Sequence, residues 1–540
     1  MRLRLTSPLG QAFLLAGFAL LMVGVWMVPV LLAGFPYELP TTVLRAKAFA
    51  ETGVVDEAFT PAVTLILWAL HPLVAWQNMM GWAAVSAAAM AAALLLLWWS
   101  VKRLFDRPVA WLTVVIFSFM PLYWTEAVLN GGYPYALFFL FLGFALFLKF
   151  FARHRLVAVL LSGICFGFVL ACQHAFITFL PWFVVAFLWM HRCAWKRASL
   201  EAALFCAIAY SAFVFPLLPN ALQSSLSPAE RMEVFLPSVA KHATGMGHLY
   251  PDEYTYTFLR DTYDQRVRQR DAAEPFLVRQ QERYIRVIFD VGDLNILDNI
   301  ENGVWLFLQT LPQLVLQEYL GGAFLWLFIV PGVLVLWMQR RSLLLLMAGL
   351  WLSMEVILRF LLHYGRTHLM DIGWAPAIFA GVGVVFLCQK LQNERRHLSV
   401  PLLSTFVALV MVMQLTQANR KLFAQEYARS PVPAVYAATE ALALLSSDAV
   451  VAHPRGANLF YFSDRRSVVL ATETLDLLVE QGKVRDPFAY YGVTHILGYD
   501  EEYDALIKKA VPQIQVVTLS ESKVQVPLTP FVRYLLHLIR

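Results

Sequence analysis

The feature that most limits the fold is a series of apolar stretches, each long enough to cross a bilayer, separated by turns whose charge alternates. A hydrocarbon core takes about 20 apolar residues of helix. On that rule spans fall near 11–34, 79–100, 109–124, 136–151, 156–172, 175–190, 199–218, 320–338, 343–362, 373–390 and 399–416. The runs are continuous rather than alternating, which argues for helices and against a β-barrel. Composition agrees: 59% of the residues are hydrophobic, 15% are charged and the mean hydropathy is +0.61. The expected fold is a polytopic α-helical membrane protein of about eleven transmembrane helices, with interfacial helices and a small C-terminal α/β soluble domain.

Basic residues give the spans a direction. Arg2/Arg4, Lys102/Arg103/Arg107, Lys149/Arg153/Arg155, Arg192/Lys196/Arg197, Arg340/Arg341 and Lys390/Arg395/Arg396 mark every second turn. The short turns between them carry only Arg45, Lys47 and Arg366. Under the positive-inside rule the N-terminus is cytoplasmic and the C-terminus lies outside. The first span reads as a retained signal anchor, since Trp26 and Met27 suit a cleavage site poorly. The formal net charge of +5 is accounted for by these turns and needs no nucleic-acid partner. Cys165, Cys172, Cys193, Cys206 and Cys388 all lie in or beside apolar spans, so neither a disulfide framework nor a zinc site is expected. The expected setting is a bacterial inner membrane.

Two apolar stretches, Pro61 to Pro72 and 305–315, are too short or too polar to cross and read as interfacial helices. A large outer loop, about 219–304, contains an amphipathic helical repeat from Phe276. Its length favours a lid or binding element. The expected division is a membrane domain over 1–416 and a soluble domain over 417–540. In the latter, the runs beginning at Ala449, Ser467, His495 and Gln515 read as strands. Val432–Leu445 and Asp500–Lys509 read as helices, and there is no Gly-rich phosphate loop or metal spacing.

Candidate chemistry collects in the outer loops. Glu38 follows Pro36 and Tyr37 at the outer end of the first span. It can serve as a general base beside a lipid-linked donor or be a solvated loop glutamate. Glu126 lies in a short aromatic loop with Asn130, Gly131, Gly132 and Pro134. It can be a second acid or metal ligand, or simply hydrated in an interfacial turn. His363, Arg366 and His368 form the densest polar cluster near the bilayer. An arginine fork with flanking histidines suits a lipid phosphate or diphosphate; a solvated connecting loop is the other reading. Glu355 and Arg359, four apart in an apolar run, read as a structural ion pair. Lys241, Arg260 and Arg286 are weaker phosphate candidates.

Taken together these residues resemble the glycosyltransferase C superfamily, specifically bacterial relatives of the protein O-mannosyltransferases and of the enzyme that adds aminoarabinose to lipid A. There an Asp-Glu motif opens the first outer loop, followed by a helix ending in a pattern like Ala-x-x-x-x-Glu-Thr-Gly. Tyr37-Glu38 stands at the motif, and Ala46 through Glu51-Thr52-Gly53 resembles the downstream part. The helix from Pro61, the Arg103 turn, the Arg366 loop followed by Trp374-Ala375-Pro376, and the closing outer domain are also similar. Tyr37 occupies one place of the acidic pair, so the motif is incomplete.

The resemblance implies inverting transfer of a sugar from a polyprenyl-phosphate carrier to a glycan, lipid or protein acceptor on the periplasmic side. Glu38, with Glu126, would be catalytic, and Arg366, His363 and His368 would hold the donor phosphate. No metal ligands are assigned, although a divalent metal is compatible. Two other readings stay open: a lipid or glycan transporter, and an inactive relative acting in binding or assembly.

Overall fold

The computed structural model describes residues 8–33, 38–55, 60–76, 78–121, 123, 128, 132–190, 194–222, 259, 322–360, 373–394, 399–427, 441–442, 444–454 and 466–517. Helix dominates, as expected. The first half holds α1 (Pro8–Ala33), α2 (Glu38–Thr52), α3 (Pro61–Leu70), α4 (Met79–Leu104), α5 (Arg107–Phe119), α6 (Tyr133–Phe150), α7 (Arg155–Cys172), α8 (Leu180–Met190), α9 (Trp195–Val214) and α10 (Leu218–Leu222). The second half of the bundle holds α11 (Gly322–Gln339), α12 (Arg341–Phe360), α13 (Trp374–Glu394) and α14 (Val400–Tyr427). Among the described residues eight helices are long and apolar enough to cross a membrane. Helices also occupy the other expected spans, but their apolar stretches, Arg107–Phe119, Phe176–Trp189 and Arg341–Ser353, are shorter.

Polar caps open two of these helices. Asn78 Oδ1 accepts from the Gly81 amide at 2.9 Å and opens α4. Asp106 Oδ1 accepts from the Val109 amide at 2.9 Å and opens α5, with Pro108 in the first turn. Each cap satisfies an amide that has no partner within its own helix. α3 has ten residues, or roughly 15 Å at the helical rise, and is too short to span.

The bundle is apolar on its outer face as well as in its core. On α1, Phe13 and Leu20 are exposed while Met22 and Trp26 are fully buried, and the Trp26 indole donates to Ser118 O at 3.3 Å. Lipid tails are as apolar as leucine, so packing rather than water exclusion holds helices together, and small residues mark the contacts. α11 and α13 cross at Gly332 and Gly383. A Cβ on Gly332 would collide with Phe379 O, and one on Gly383 with Phe328 O. Gly167 of α7 meets Ala209 O and Ala212 of α9 in the same way.

The C-terminal unit is a four-stranded parallel sheet of β1 (Val450–His453), β2 (Arg466–Val469), β3 (His495–Ile496) and β4 (Gln515–Val516), in the order β2-β1-β3-β4. All four expected strands are present. The expected helix over Asp500–Lys509 is α17 (Glu501–Ala510), capped by Asp500, whose carboxylate accepts from the Tyr503 amide at 3.0 Å. α15 (Thr472–Glu480) and α16 (Arg485–Tyr490) were not expected from the sequence. The helix expected over Val432–Leu445 lies almost wholly outside the described residues. Leu470, Leu475, Leu478, Phe488, Ile496 and Ile507 form the core, and Leu259 of the large outer loop is buried with them. That leucine ties the outer loop to the C-terminal unit.

Tyr503 donates to Asp476 Oδ1 at 2.8 Å, joining α17 to α15, and this bond pushes the Tyr503 hydroxyl up to about 12. Nearby, Asp504 Oδ1 is buried with no hydrogen-bond partner. Burial raises the Asp504 carboxyl above its ordinary value, with Asp500 adding to the effect and Lys508 opposing it. A raised carboxyl favours the neutral form in the folded state. Its contribution to stability is therefore present at low pH and lost as pH rises through the raised folded value.

Two predictions follow from these packing and charge relations. Gly332→Leu forces α11 and α13 apart and costs about 1–3 kcal/mol, seen as a lowered thermal midpoint in tryptophan fluorescence. Gly17→Ala, in the interior of α1 with no neighbour within 4 Å, does not lower the midpoint, since alanine is the better helix former. For Asp504→Asn, hydrogen exchange at Leu475 and Ile507 in the whole protein slows relative to wild type as pH rises out of the acidic range.

Candidate functional site

The end of the bundle opposite the basic turns carries the segments singled out by sequence. α2 runs from Glu38 to Thr52. The Glu38 side chain lies outside the described residues, as do Glu126, His363, Arg366 and His368. The side chains of Glu355 and Arg359, on α12, lie outside them too, as do Lys241, Arg260 and Arg286. What the structure does place is the frame on which those residues are carried.

The Glu51-Thr52-Gly53 part of the motif is a helix stop. Thr52 Oγ1 donates to Ala48 O at 2.8 Å and accepts from the Val54 amide at 3.2 Å. Gly53 takes φ of 69°, and its amide donates to Phe49 O at 2.7 Å. A left-handed residue after the last turn is the usual place for glycine. Glu51 is exposed and lies 3.9 Å from Lys47, one turn back. The pattern therefore shapes the loop, and its glutamate is a solvated helix-end residue.

Beyond this stop the loop is clamped. Asn220 Oδ1 accepts from the Val55 amide at 2.7 Å, and Asn220 Nδ2 donates to Val55 O at 2.8 Å. Both backbone groups of Val55 are thus satisfied by one side chain of α10. Phe49, Val55 and Leu217 pack together beneath the clamp. α3 continues the surface: Phe49 meets Trp68 edge to face at 5.4 Å, and His71 Nδ1 lies 2.7 Å from Trp68 O. His71 stacks on Trp76 at 5.0 Å, and Trp76 stacks on Trp82 at 5.6 Å. Such a row of rings and a histidine suits the headgroup level of a membrane.

Two close approaches join the loops to one another. A Cβ on Gly132 would sit 2.5 Å from Cys172 O and 3.1 Å from Thr60 Cγ2, so the end of the second loop presses on the end of the first. Thr60 has φ of 29° there, an unusual conformation for a β-branched residue. A Cβ on Gly373 would sit 2.5 Å from the Tyr123 hydroxyl, so the second loop also presses on the start of α13. Tyr123 is fully buried and lies against Phe117 at 3.8 Å. Thr60 thus meets Gly132 and Tyr123 meets Gly373; Tyr123 and Gly132 flank the stretch that contains Glu126, and Gly373 follows the one that contains the Arg366 cluster.

Thr64 Oγ1 and Trp82 Nε1 are buried without hydrogen-bond partners. Among the described residues no three of His, Cys, Asp and Glu stand close enough to hold a metal ion. Sequence reasoning did not find Asn220, Thr60 or Tyr123 as members of this frame. Each acts through a partner remote in the chain, and Asn220 carries no local signature beyond following a proline.

No protein-family model matches the sequence, and no curated protein matches it. The fold, however, has solved counterparts. ArnT from Cupriavidus metallidurans bound to undecaprenyl phosphate superposes with a TM-score of 0.52 at 11% identity, over 95% of this chain and 90% of that one. The same protein in the apo state gives 0.50 at 12% identity, over 94% and 89%. A weaker likeness, with a TM-score of 0.48 at 13% identity, is to the Archaeoglobus fulgidus oligosaccharyltransferase, over 83% of this chain and 62% of that one. The fold expected from the glycosyltransferase C resemblance is the fold observed. Asn220→Ala, which removes both bonds to Val55, is expected to speed exchange of the Val55 amide; removing a buried partner costs about 1–3 kcal/mol per unsatisfied group. Unchanged exchange would show that the clamp does not hold the loop.

Proposed function

We propose that the protein is a membrane glycosyltransferase that moves a sugar from a polyprenyl-phosphate carrier to an acceptor on the periplasmic side. The observation that carries this reading is the close contact of Thr60 with Gly132 and of Tyr123 with Gly373, beside the loops in question, in a bundle with the ArnT fold. That structure of ArnT holds undecaprenyl phosphate, which supports a lipid phosphate as the natural partner of the end where Arg366 lies. The aromatic row of Trp68, His71, Trp76 and Trp82 supports placing that end at headgroup depth.

The roles follow from charge. Glu38, at the start of α2, takes a proton from the acceptor as it attacks the anomeric carbon, and Glu126 assists at the same face. Arg366, with His363 and His368, holds the phosphate that leaves as an anion, since a cation there stabilises charge that develops in the transition state. Attack opposite the leaving phosphate inverts the anomeric centre. The N-terminus and the basic turns face the cytoplasm of a bacterial inner membrane, and residues 417–540 form a periplasmic unit suited to handling the acceptor. Burial of Leu259 in the core of that unit supports a coupling between acceptor handling and the large outer loop. A divalent metal is compatible with two carboxylates beside a phosphate, and the transfer chemistry does not require one.

The test is turnover of labelled polyprenyl-phosphate sugars by the whole protein in nanodiscs, including hydrolysis of the donor when acceptor is absent. Glu38→Gln is expected to keep the fold and donor binding but lose about 10²–10⁴ in rate, the usual weight of a general base. Wild-type rates in that variant would remove Glu38 from the role. Donor binding without turnover by wild type, with acceptors supplied, would favour a binding or assembly role, in line with Tyr37 standing where the acidic pair is incomplete.

A further inference from the structure

A cavity of about 200 Å³ lies within the bundle among α4, α6, α7, α8, α9, α12 and α13. Its position follows from its lining. Leu104 ends α4, Leu148 stands in the last turn of α6, and Leu343 and Leu346 stand in the first two turns of α12. These residues belong to the basic end of the bundle, and all four are only half-buried. The far end of the cavity is closed by buried side chains, Trp374 and Ile378 of α13 with Phe141 of α6. Trp374 meets Phe141 edge to face at 6.3 Å and Phe144 at 6.0 Å. Among the described residues, the lining is half-buried at the basic end and buried at the other.

Its wall holds two hydroxyls. Ser162 Oγ donates to Ala158 O at 2.7 Å and so is occupied. Ser100 Oγ is buried with no hydrogen-bond partner. A water in a buried site needs roughly two to four polar partners, and one serine cannot supply them. The space therefore suits an apolar chain, which recovers the dispersion contacts that an empty cavity forfeits.

The mouth has a charge. Arg340 donates to the backbone oxygen of Leu104, a lining residue, and its guanidinium lies over the Phe105 ring at 5.3 Å. Lys102 lies 4.7 Å over Trp98 and Arg341 4.1 Å over Trp337. Asp106, the nearby acid, is occupied as the cap of α5, and Glu201 of α9 pairs with Arg197 at 3.0 Å. We propose that the cavity holds an acyl chain of an anionic phospholipid from the leaflet at the basic end, with the phosphate held beside Arg340 and Lys102. This site is separate from the donor site, because Trp374 closes the cavity on the side from which a carrier at the outer loops would enter.

The test uses the whole protein in phosphatidylcholine nanodiscs doped with phosphatidylglycerol bearing a diazirine near the end of one acyl chain. Photolysis and peptide mass spectrometry should place adducts in the segments that line the cavity, above all 139–144 and 374–378 at its closed end. Leu346→Trp, which fills the mouth, should abolish them, and Ser100→Leu serves the same purpose if the first variant fails to fold. Arg340→Gln should weaken labelling about fivefold, the weight of one basic residue at an anionic surface, while Arg340→Lys keeps it. A phosphatidylcholine probe of the same chain should label far less. Labelling indifferent to headgroup and to residue 340, adducts only in segments that do not line the cavity, or displacement of the probe by polyprenyl phosphate would each overturn the assignment.

Discussion

In a hydrocarbon core an unpaired backbone amide has no water to turn to, and everything else in this structure depends on that. It forces the membrane part into helices that satisfy their own amides, and it removes the hydrophobic drive that would otherwise press them together. Close packing takes its place. At Gly332 and Gly383 two helices approach until a single Cβ would not fit, and the same device recurs at Gly167 and Gly132. The last of these matters most for function, since Gly132 sets the second outer loop against Thr60 and Cys172.

The frame so built has two unlike ends. One is ringed by arginines and lysines lying over tryptophan and phenylalanine rings, as at Lys102, Arg340 and Arg341. The other carries the helix stop at Gly53, the Asn220 clamp, the row of rings from Trp68 to Trp82 and the buried Tyr123. Lys102 and Arg340 stand beside an apolar cavity at one end, and the proposed carboxylates and phosphate contacts belong to the loops of the other, so the two proposals place lipid at two distinct ends.

Much of this was legible in the sequence, for reasons that can be named. Spans announce themselves because about 20 apolar residues are hard to use otherwise, and helices occupy every expected one. The four strands were legible as short β-branched runs such as Val450-Val451 and Val468-Val469. α15 and α16 were not, because Thr472–Glu480 has only two turns and Pro487 interrupts the other. Nor was the burial of Leu259, which is decided by a core nearly two hundred residues away in the chain. At the candidate site, residue types suggested the chemistry, but the contacts that anchor the loops depend on glycines at 132 and 373 and carry no local pattern. The cavity was illegible for a related reason, since it is a remainder of side-chain volumes from seven helices.

The central claim is that three outer segments meet around one lipid phosphate. The most direct measurement is photocrosslinking of the whole protein with a polyprenyl phosphate carrying a photoactive group beside its phosphate, followed by mapping of the adducts. The account predicts labelling in 34–60, in 121–132 and in 361–374 together, with unlabelled polyprenyl phosphate competing at all three. Labelling confined to one segment, or found at the turns around Lys102 and Arg340, would contradict it.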